Sequence, residues 1–159
     1  MRIGHGFDAH RLIQGRKLTL AGVHVPSEVG ALGHSDADVV AHAVADALLG
    51  AAALGDLGHH FPDTDARWKD ADSMELLQRC AALVRRAGFR IVNVDATVLL
   101  ERPKLAAHIA AMRARLASCL SIDASCASVK AKTSEGMGYT GDGSGISAYA
   151  VALLEGVTP

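Results

Sequence analysis

Aromatic residues are scarce in this chain, at 4% of 159 positions, although half of the sequence is hydrophobic. A core of Ala, Val and Leu is built from small pieces, so one domain has little apolar area to spare and self-association is expected. Cysteine is limited to Cys80, Cys119 and Cys126. The odd number and the lack of any C-x-x-C pair argue against a disulfide framework and against a cysteine zinc site. Small buried thiols in a reducing, cytoplasmic compartment are expected instead. The net charge is −1 and no Lys/Arg run occurs, so neither a nucleic-acid face nor a membrane face is expected. The opening residues, Met1 to Gly6, lack the apolar segment of a secretory signal. The longest apolar stretch, 41–57, is interrupted by Asp46 and Asp56 and is too short and too charged to span a bilayer. Repeats, linkers and low-complexity tails are also absent, so residues 1–159 read as a single domain.

Residues 1–10 read as a strand in which Ile3, His5 and Phe7 alternate with Gly4, Gly6 and Asp8. Residues 17–21 and 23–25 read as a hairpin turning at Gly22, and 26–33 as a loop. A helix should follow, with Ser35 as its N-cap and Asp36 and Asp38 in its first turn, where the helix dipole favours carboxylates. Val40, Val44, Ala47, Leu48 and Leu49 form its apolar stripe, and it should end between Gly50 and Gly55. Residues 55–72 are rich in Gly and Asp and long for a plain connection, which marks a candidate functional loop. Asp72 or Ser73 caps a second helix over 74–87, which Gly88 stops. Residues 89–101 are the clearest strand, broken by Pro103. A third helix is expected over 105–120, a strand over 128–133 and a second Gly-rich loop over 135–145; residues 146–154 suit a strand or a helix, and a strand is favoured because the sheet needs a closing partner. The class is α+β: a sandwich of a mixed β-sheet with helices on one face.

Asp8 and His10 lie two residues apart on the first strand, so both side chains share one face. His42 falls within the first helix. Two imidazoles and a carboxylate suit Zn²⁺ or a similar divalent ion, and three protein ligands leave a position open for chemistry. Asp38, His42 and Asp46 recur at i, i+4 and i+8 on one helix face. Asp38 could therefore be a carboxylate partner of a metal-bound imidazole, or simply a cap. His5, His34, His59 and His60 are further candidates, the last two being an exposed pair in the polar loop. H-E-x-x-H is absent, so a zincin-type peptidase is not indicated.

Five blocks carry a resemblance: RIGHGFDAHRL, SDADVVAHAVADALLG, GDLGHHFPDTD, ERPKL and KAKTSEGMGYTG. In this order and spacing they resemble the 2-C-methyl-D-erythritol 2,4-cyclodiphosphate synthase family over residues 1 to about 146. The resemblance implies an enzyme of the non-mevalonate isoprenoid route. Its substrate would be 4-diphosphocytidyl-2-C-methyl-D-erythritol 2-phosphate, and its products the cyclic diphosphate and CMP. The resemblance further implies a homotrimer with active sites between adjacent subunits. This chain resembles the single-function form rather than a fusion to a cytidylyltransferase.

By the same resemblance, Asp8, His10 and His42 hold Zn²⁺ or another divalent metal, and Glu135 serves a second ion, Mg²⁺ or Mn²⁺, on the substrate diphosphate. His34 and Thr133 match the residues that stabilise the transition state. Asp8, Ala9, His10, His34 and Ser35 match substrate contacts, and a helix N-terminus beside Ser35 would suit an anion. Asp56, Leu57 and Gly58, with Phe61, Pro62, Asp63, Thr64 and Asp65, match the flexible loop over the methylerythritol part. Turn formation also explains the Asp and Pro residues there. Leu100, Glu101, Arg102, Pro103, Lys104, Leu105 and Ala106, with Ala131, Lys132, Thr133, Ser134 and Glu135, match the cytidine pocket. Tyr139 keeps the family's aromatic. Asp142 departs from it, standing where the family commonly has Arg, and this argues against a diphosphate contact or an isoprenoid ligand at that loop. Two other classes remain: a zinc hydrolase with a metal-bound hydroxide, and a nucleotide-binding module without catalysis.

Overall fold

A computed structural model describes residues 1–157. The chain opens with a long strand, β1 (Arg2–Gln14), and a short hairpin of β2 (Leu18–Leu20) and β3 (Val23–Val25). The hairpin turns through Ala21 and Gly22, both at positive φ, as a two-residue turn requires. Then come β4 (Val29–Leu32), α1 (Val39–Ala51), the short α2 (Leu57–His60), α3 (Ser73–Arg86) and β5 (Phe89–Leu99). The chain continues through α4 (Ile109–Leu120), β6 (Ala127–Lys132), the short α5 (Gly138–Gly141) and β7 (Gly145–Gly156). Strands β4, β1, β7, β5 and β6 form one sheet in that order. Only β5 and β6 run parallel, and α4 provides the crossover that parallel neighbours need. The sheet is mixed and the class is α+β, as expected.

Helix α1 is the centre of the core. Ten of its thirteen residues are buried, so it is apolar nearly all round and packs against β1, β7, β5 and α3. Its close seat on β1 depends on two glycines. A Cβ on Gly4 would lie 2.0 Å from the Ala47 carbonyl oxygen, and one on Gly6 would lie 1.9 Å from that of Ala43. The alternation of β1 therefore has its small residues inward. Ile3, His5 and Phe7 face away from the helices, beside Tyr149 and Val151 of β7. That face stays open, with Ile3 72% exposed.

Two expectations are corrected. Residues 26–33 are not all loop, because Val29–Leu32 forms β4 against Arg11–Gln14 of β1. A run of Val-Gly-Ala-Leu is too short and too poor in β-branched residues to signal a strand, and backbone pairing alone makes it one. The first helix begins later than expected. Ala37 turns the chain at φ 57°, and Asp38, not Ser35, caps α1 by accepting from Val40 N–H and Ala41 N–H.

Candidate active site

Strand β1 and helix α1 bring Asp8, His10 and His42 together. Asp8 Oδ2 lies 2.8 Å from His42 Nδ1 and 3.0 Å from His10 Nε2. The three candidate ligand atoms all lie within 4.8 Å of one another. Among the described residues no other set of His, Cys, Asp or Glu side chains converges this way. His10 Nε2 is buried and, apart from its 3.0 Å approach to Asp8 Oδ2, has no hydrogen-bond partner. A buried imidazole nitrogen whose one polar neighbour is that carboxylate, aimed at the same point as a second imidazole, fits a divalent cation and open tetrahedral coordination. Burial alone would raise the Asp8 carboxyl, but the hydrogen bonds from His10 and His42 outweigh it and hold the group well below the usual range. Burial likewise opposes charge on His42, and its hydrogen bond to Asp8 overrides this, so the imidazole is raised above its ordinary value. The pair binds protons where a metal would bind.

The carboxylates on the α1 face do other work. Asp38 is fully buried and accepts four backbone N–H groups, from Ala21, Gly22, Val40 and Ala41. It is a cap that ties the β2–β3 turn to α1, and it makes no hydrogen bond to the His42 ring. Its burial pushes the carboxyl up to about 6 despite those donors. The Val40 and Ala41 N–H groups at the start of α1 are thus taken by Asp38, where the expectation was a helix N-terminus with free N–H groups for an anion. Asp46 accepts the Leu57 N–H at 2.7 Å and anchors the start of the polar loop. The neighbours of His42 Nε2 are instead Ser73 Oγ at 2.8 Å and Ser35 Oγ at 3.3 Å.

His10, His34, Ser35 and His42 line a cavity of about 240 Å³ with Leu57, Phe61, Asp63, Trp68 and Leu76. The loop over the metal residues therefore includes three of the positions expected to hold the methylerythritol part: Leu57, Phe61 and Asp63. Asp56, Gly58, Pro62, Thr64 and Asp65 belong to the same loop but not to the cavity lining. Asp56 caps α2 through the His59 N–H, and Asp65 pairs with Arg67. Ala9 is exposed and alternates out of the face that Asp8 and His10 share.

The remaining candidates lie elsewhere. Leu100, Lys104, Leu105, Ala106, Ala131, Lys132, Thr133 and Glu135 line a cavity of about 670 Å³ beside β6. Glu101, Arg102 and Pro103 line an adjoining one on the other side of Lys104. Glu101 accepts the Ser134 N–H, joining the two segments. Thr133 Oγ1 donates to the Glu135 carboxylate, and Glu135 itself sits at φ 50°. Tyr139 lines a third cavity, of about 610 Å³, with His10, Arg11 and Gly145. Strands β7 and β5 stand between β1 and β6, so within one chain Thr133 and Glu135 are three strand spacings, about 14 Å, from the triad. Asp142 accepts the Ser144 N–H and shapes its own turn. Burial pushes the thiols of Cys80 and Cys119 up to about 12 and about 11, so both stay protonated at neutral pH.

Sequence reasoning missed Trp68 and Leu76 at the first cavity and Ser73 behind His42. Ser73 read only as a possible helix cap. Trp68 had one usable signal, an aromatic in an aromatic-poor chain inside the candidate loop, and it meets Phe61 edge-on at 5.0 Å between ring centres.

The sequence profile of the YgbB family matches residues 1–155. The 2-C-methyl-D-erythritol 2,4-cyclodiphosphate synthase of Geobacter sulfurreducens is 56% identical over 155 residues, 98% of this chain and 99% of its own. A solved 2C-methyl-D-erythritol-2,4-cyclodiphosphate synthase in a CDP-bound form superposes with a TM-score of 0.90 at 42% identity, covering 97% of this chain and all of that one. A bifunctional enzyme from Campylobacter jejuni superposes with a TM-score of 0.94 at 41% identity, over 98% of this chain and 42% of the longer protein.

Proposed function

This chain belongs to the YgbB family of 2-C-methyl-D-erythritol 2,4-cyclodiphosphate synthases, and from that membership we propose how its own residues make the cyclic diphosphate. The protein is a lyase of non-mevalonate isoprenoid biosynthesis. Its substrate is 4-diphosphocytidyl-2-C-methyl-D-erythritol 2-phosphate. An oxygen of the 2-phosphate forms a bond to the β-phosphorus. The bond from that phosphorus to the bridging oxygen breaks, and CMP leaves with that oxygen. The nucleophile is already an anion within the substrate, so no protein base is required. The work left to the protein is to fold the substrate back on itself and to offset charge.

Asp8, His10 and His42 would hold the divalent ion, Zn²⁺ by donor type, which offsets negative charge on the diphosphate. Glu135 would serve Mg²⁺ or Mn²⁺ on the same diphosphate. His34, exposed at the rim of the metal cavity, and Thr133, at the end of β6, act on the reacting phosphates. The loop residues Leu57, Phe61 and Asp63 enclose the methylerythritol part, and the cavity beside β6 takes the cytidine. The observation that carries this reading is the convergence of Asp8, His42 and the buried His10 Nε2, whose one polar neighbour is the Asp8 carboxylate.

The separation of the two cavities supports a homotrimer in which the metal half of one subunit meets the cytidine half of its neighbour. The open apolar face of Ile3, Phe7, Tyr149 and Val151 offers area for that assembly. No helix among the described residues is long and apolar enough to cross a membrane, which is compatible with a cytoplasmic enzyme.

The test is incubation with the cytidyl substrate, Zn²⁺ and Mg²⁺, followed by mass analysis. Equal amounts of CMP and cyclic diphosphate are expected, and both should vanish in His42→Ala together with bound zinc. CMP accompanied by a linear product would favour a zinc hydrolase. Tight CMP binding without turnover would favour a binding module.

A further inference from the structure

The metal residues account for one side of His42 and leave the other to explain. Nδ1 faces Asp8 at 2.8 Å, while Nε2 faces Ser73 Oγ at 2.8 Å. Ser73 is the first residue of α3, 31 positions away in sequence, and is fully buried. Its hydroxyl also bonds to Asp36 Oδ1, and its backbone N–H reaches the same oxygen at 3.3 Å. A carboxylate only accepts, so the single Ser73 hydroxyl hydrogen goes to Asp36. Ser73 Oγ can then only accept from His42, which keeps a ring hydrogen on Nε2, so the hydrogen that Nδ1 donates to Asp8 is the one a cation would displace. Ser35 Oγ, at 3.3 Å, is the more distant partner of Nε2, and its own hydrogen can go to Ser73 Oγ, also at 3.3 Å.

We infer that Ser73 and Asp36 are positioning residues of the metal site: the chain His42 Nε2–H to Ser73 to Asp36 fixes the tautomer and ring orientation that present Nδ1 to the cation. An imidazole ligand whose second nitrogen donates toward a carboxylate binds metal more tightly than one left free. The carboxylate acts here through a hydroxyl. The device also reaches the candidate loop, because Asp36 N–H donates to the Ala71 carbonyl and Asp70 N–H to that of His34. The end of the 55–72 loop and the back of His42 are thus held by the same few bonds.

The inference rests on reading Asp8, His10 and His42 as the metal site, and the test separates the two. Zinc affinity is measured by competition with a chromophoric chelator for wild type, Ser73→Ala and Asp36→Asn. In parallel, proton–nitrogen correlation on histidine-labelled, zinc-loaded protein reads the His42 ring hydrogens. Asp72 caps α3 and Ala is a good helix former, so S73A should fold. Loss of a partner behind a ligand costs 10- to 100-fold in affinity, so S73A should bind zinc about that much more weakly. The Nε2 hydrogen should exchange slowly in wild type and rapidly in S73A. D36N keeps an acceptor but removes the charge, so its loss should be smaller, about three- to tenfold. S73A binding zinc within twofold of wild type, with the Nε2 hydrogen still protected, would overturn the inference. If S73A does not fold, D36N decides, and unchanged affinity there overturns it. A wild type that binds no zinc would sink the metal-site reading itself.

Discussion

Substituting Gly6 by Ala is expected to empty the metal site without touching any of its ligands. The Cβ would lie 1.9 Å from the Ala43 carbonyl oxygen and 2.7 Å from Ala47 N, whereas ordinary contact starts at 3.4 Å. Both clashing groups are backbone of α1, so no side chain can swing away. Strand and helix must part by about 1.5 Å, in a core too dense to absorb it elsewhere. Asp8 and His10 ride on the strand and His42 on the helix. Metal sites tolerate about 0.2 Å in ligand distance, so the displacement is several times what zinc accepts. Overpacking costs roughly 1–3 kcal/mol, and the upper end is expected where only backbone can yield. For a domain of this size that is a fall in Tm of about 6–12 °C. The assay is zinc content by atomic absorption, with thermal unfolding at fixed protein concentration, with and without chelator. Gly50→Ala is the control: it lies in the same helix, its nearest atom would be 4.0 Å away, and it should gain about 0.5–1 kcal/mol of helix propensity. G6A with a full zinc equivalent and a Tm within about 2 °C of wild type would refute the reasoning.

Zinc affinity should fall with pH in a defined direction. In the metal-free protein Asp8 holds a proton on His42 to higher pH than an ordinary imidazole, whose value is about 6.5. That pair's contribution to stability is complete below about 6.5 and is lost as pH rises through the raised value. Zinc must displace the proton, so affinity should already weaken above 6.5 as pH falls, and zinc should raise Tm more at pH 8 than at pH 6. Equal gains at both would contradict this. Asp38→Asn exchanges one acceptor oxygen for a donor, and if that group faces Gly22 N–H, now bonded at 2.7 Å, a buried donor is left unpaired. A loss of about 2 kcal/mol in urea unfolding is expected, and a change under about 0.5 would count against the cap assignment. Asp46→Ala frees the Leu57 N–H at a half-exposed site, for about 1 kcal/mol. KM for the cytidyl substrate should rise several-fold with zinc content unchanged, and lost zinc would show that Asp46 supports the metal instead.

Much of this architecture was legible because its signals are local. The run of Val, Ile and Thr in β5, the cap and stop of α3, and the period-two spacing of Asp8 and His10 each lie within a few residues. The metal triad was legible for the same reason, once a helix carrying His42 was recognised. The misreadings involve partners distant in sequence. Ser35 looked like the cap because Ser, Asp36 and Asp38 all favour a helix start, and only the positive φ of Ala37 decides among them. Asp38 looked equally suited to back His42. Its real partners, Ala21 and Gly22, come from a hairpin 16 to 17 residues earlier. Ser73 pairs with His42 across the fold, which no periodicity reports. Strand β4 has almost no side-chain signal and exists by pairing with the end of β1. The division of the candidate substrate residues between separate cavities follows from strand order, which the sequence does not display.

The central claim is that the substrate's own phosphate, and not water, attacks the β-phosphorus. A complete turnover in ¹⁸O-enriched water, with the phosphorus products read by mass, tests it most directly. Cyclic diphosphate and CMP that both carry only the original oxygens are the predicted result. One ¹⁸O atom in a linear product would contradict it, because it would mean that the metal centre activates solvent.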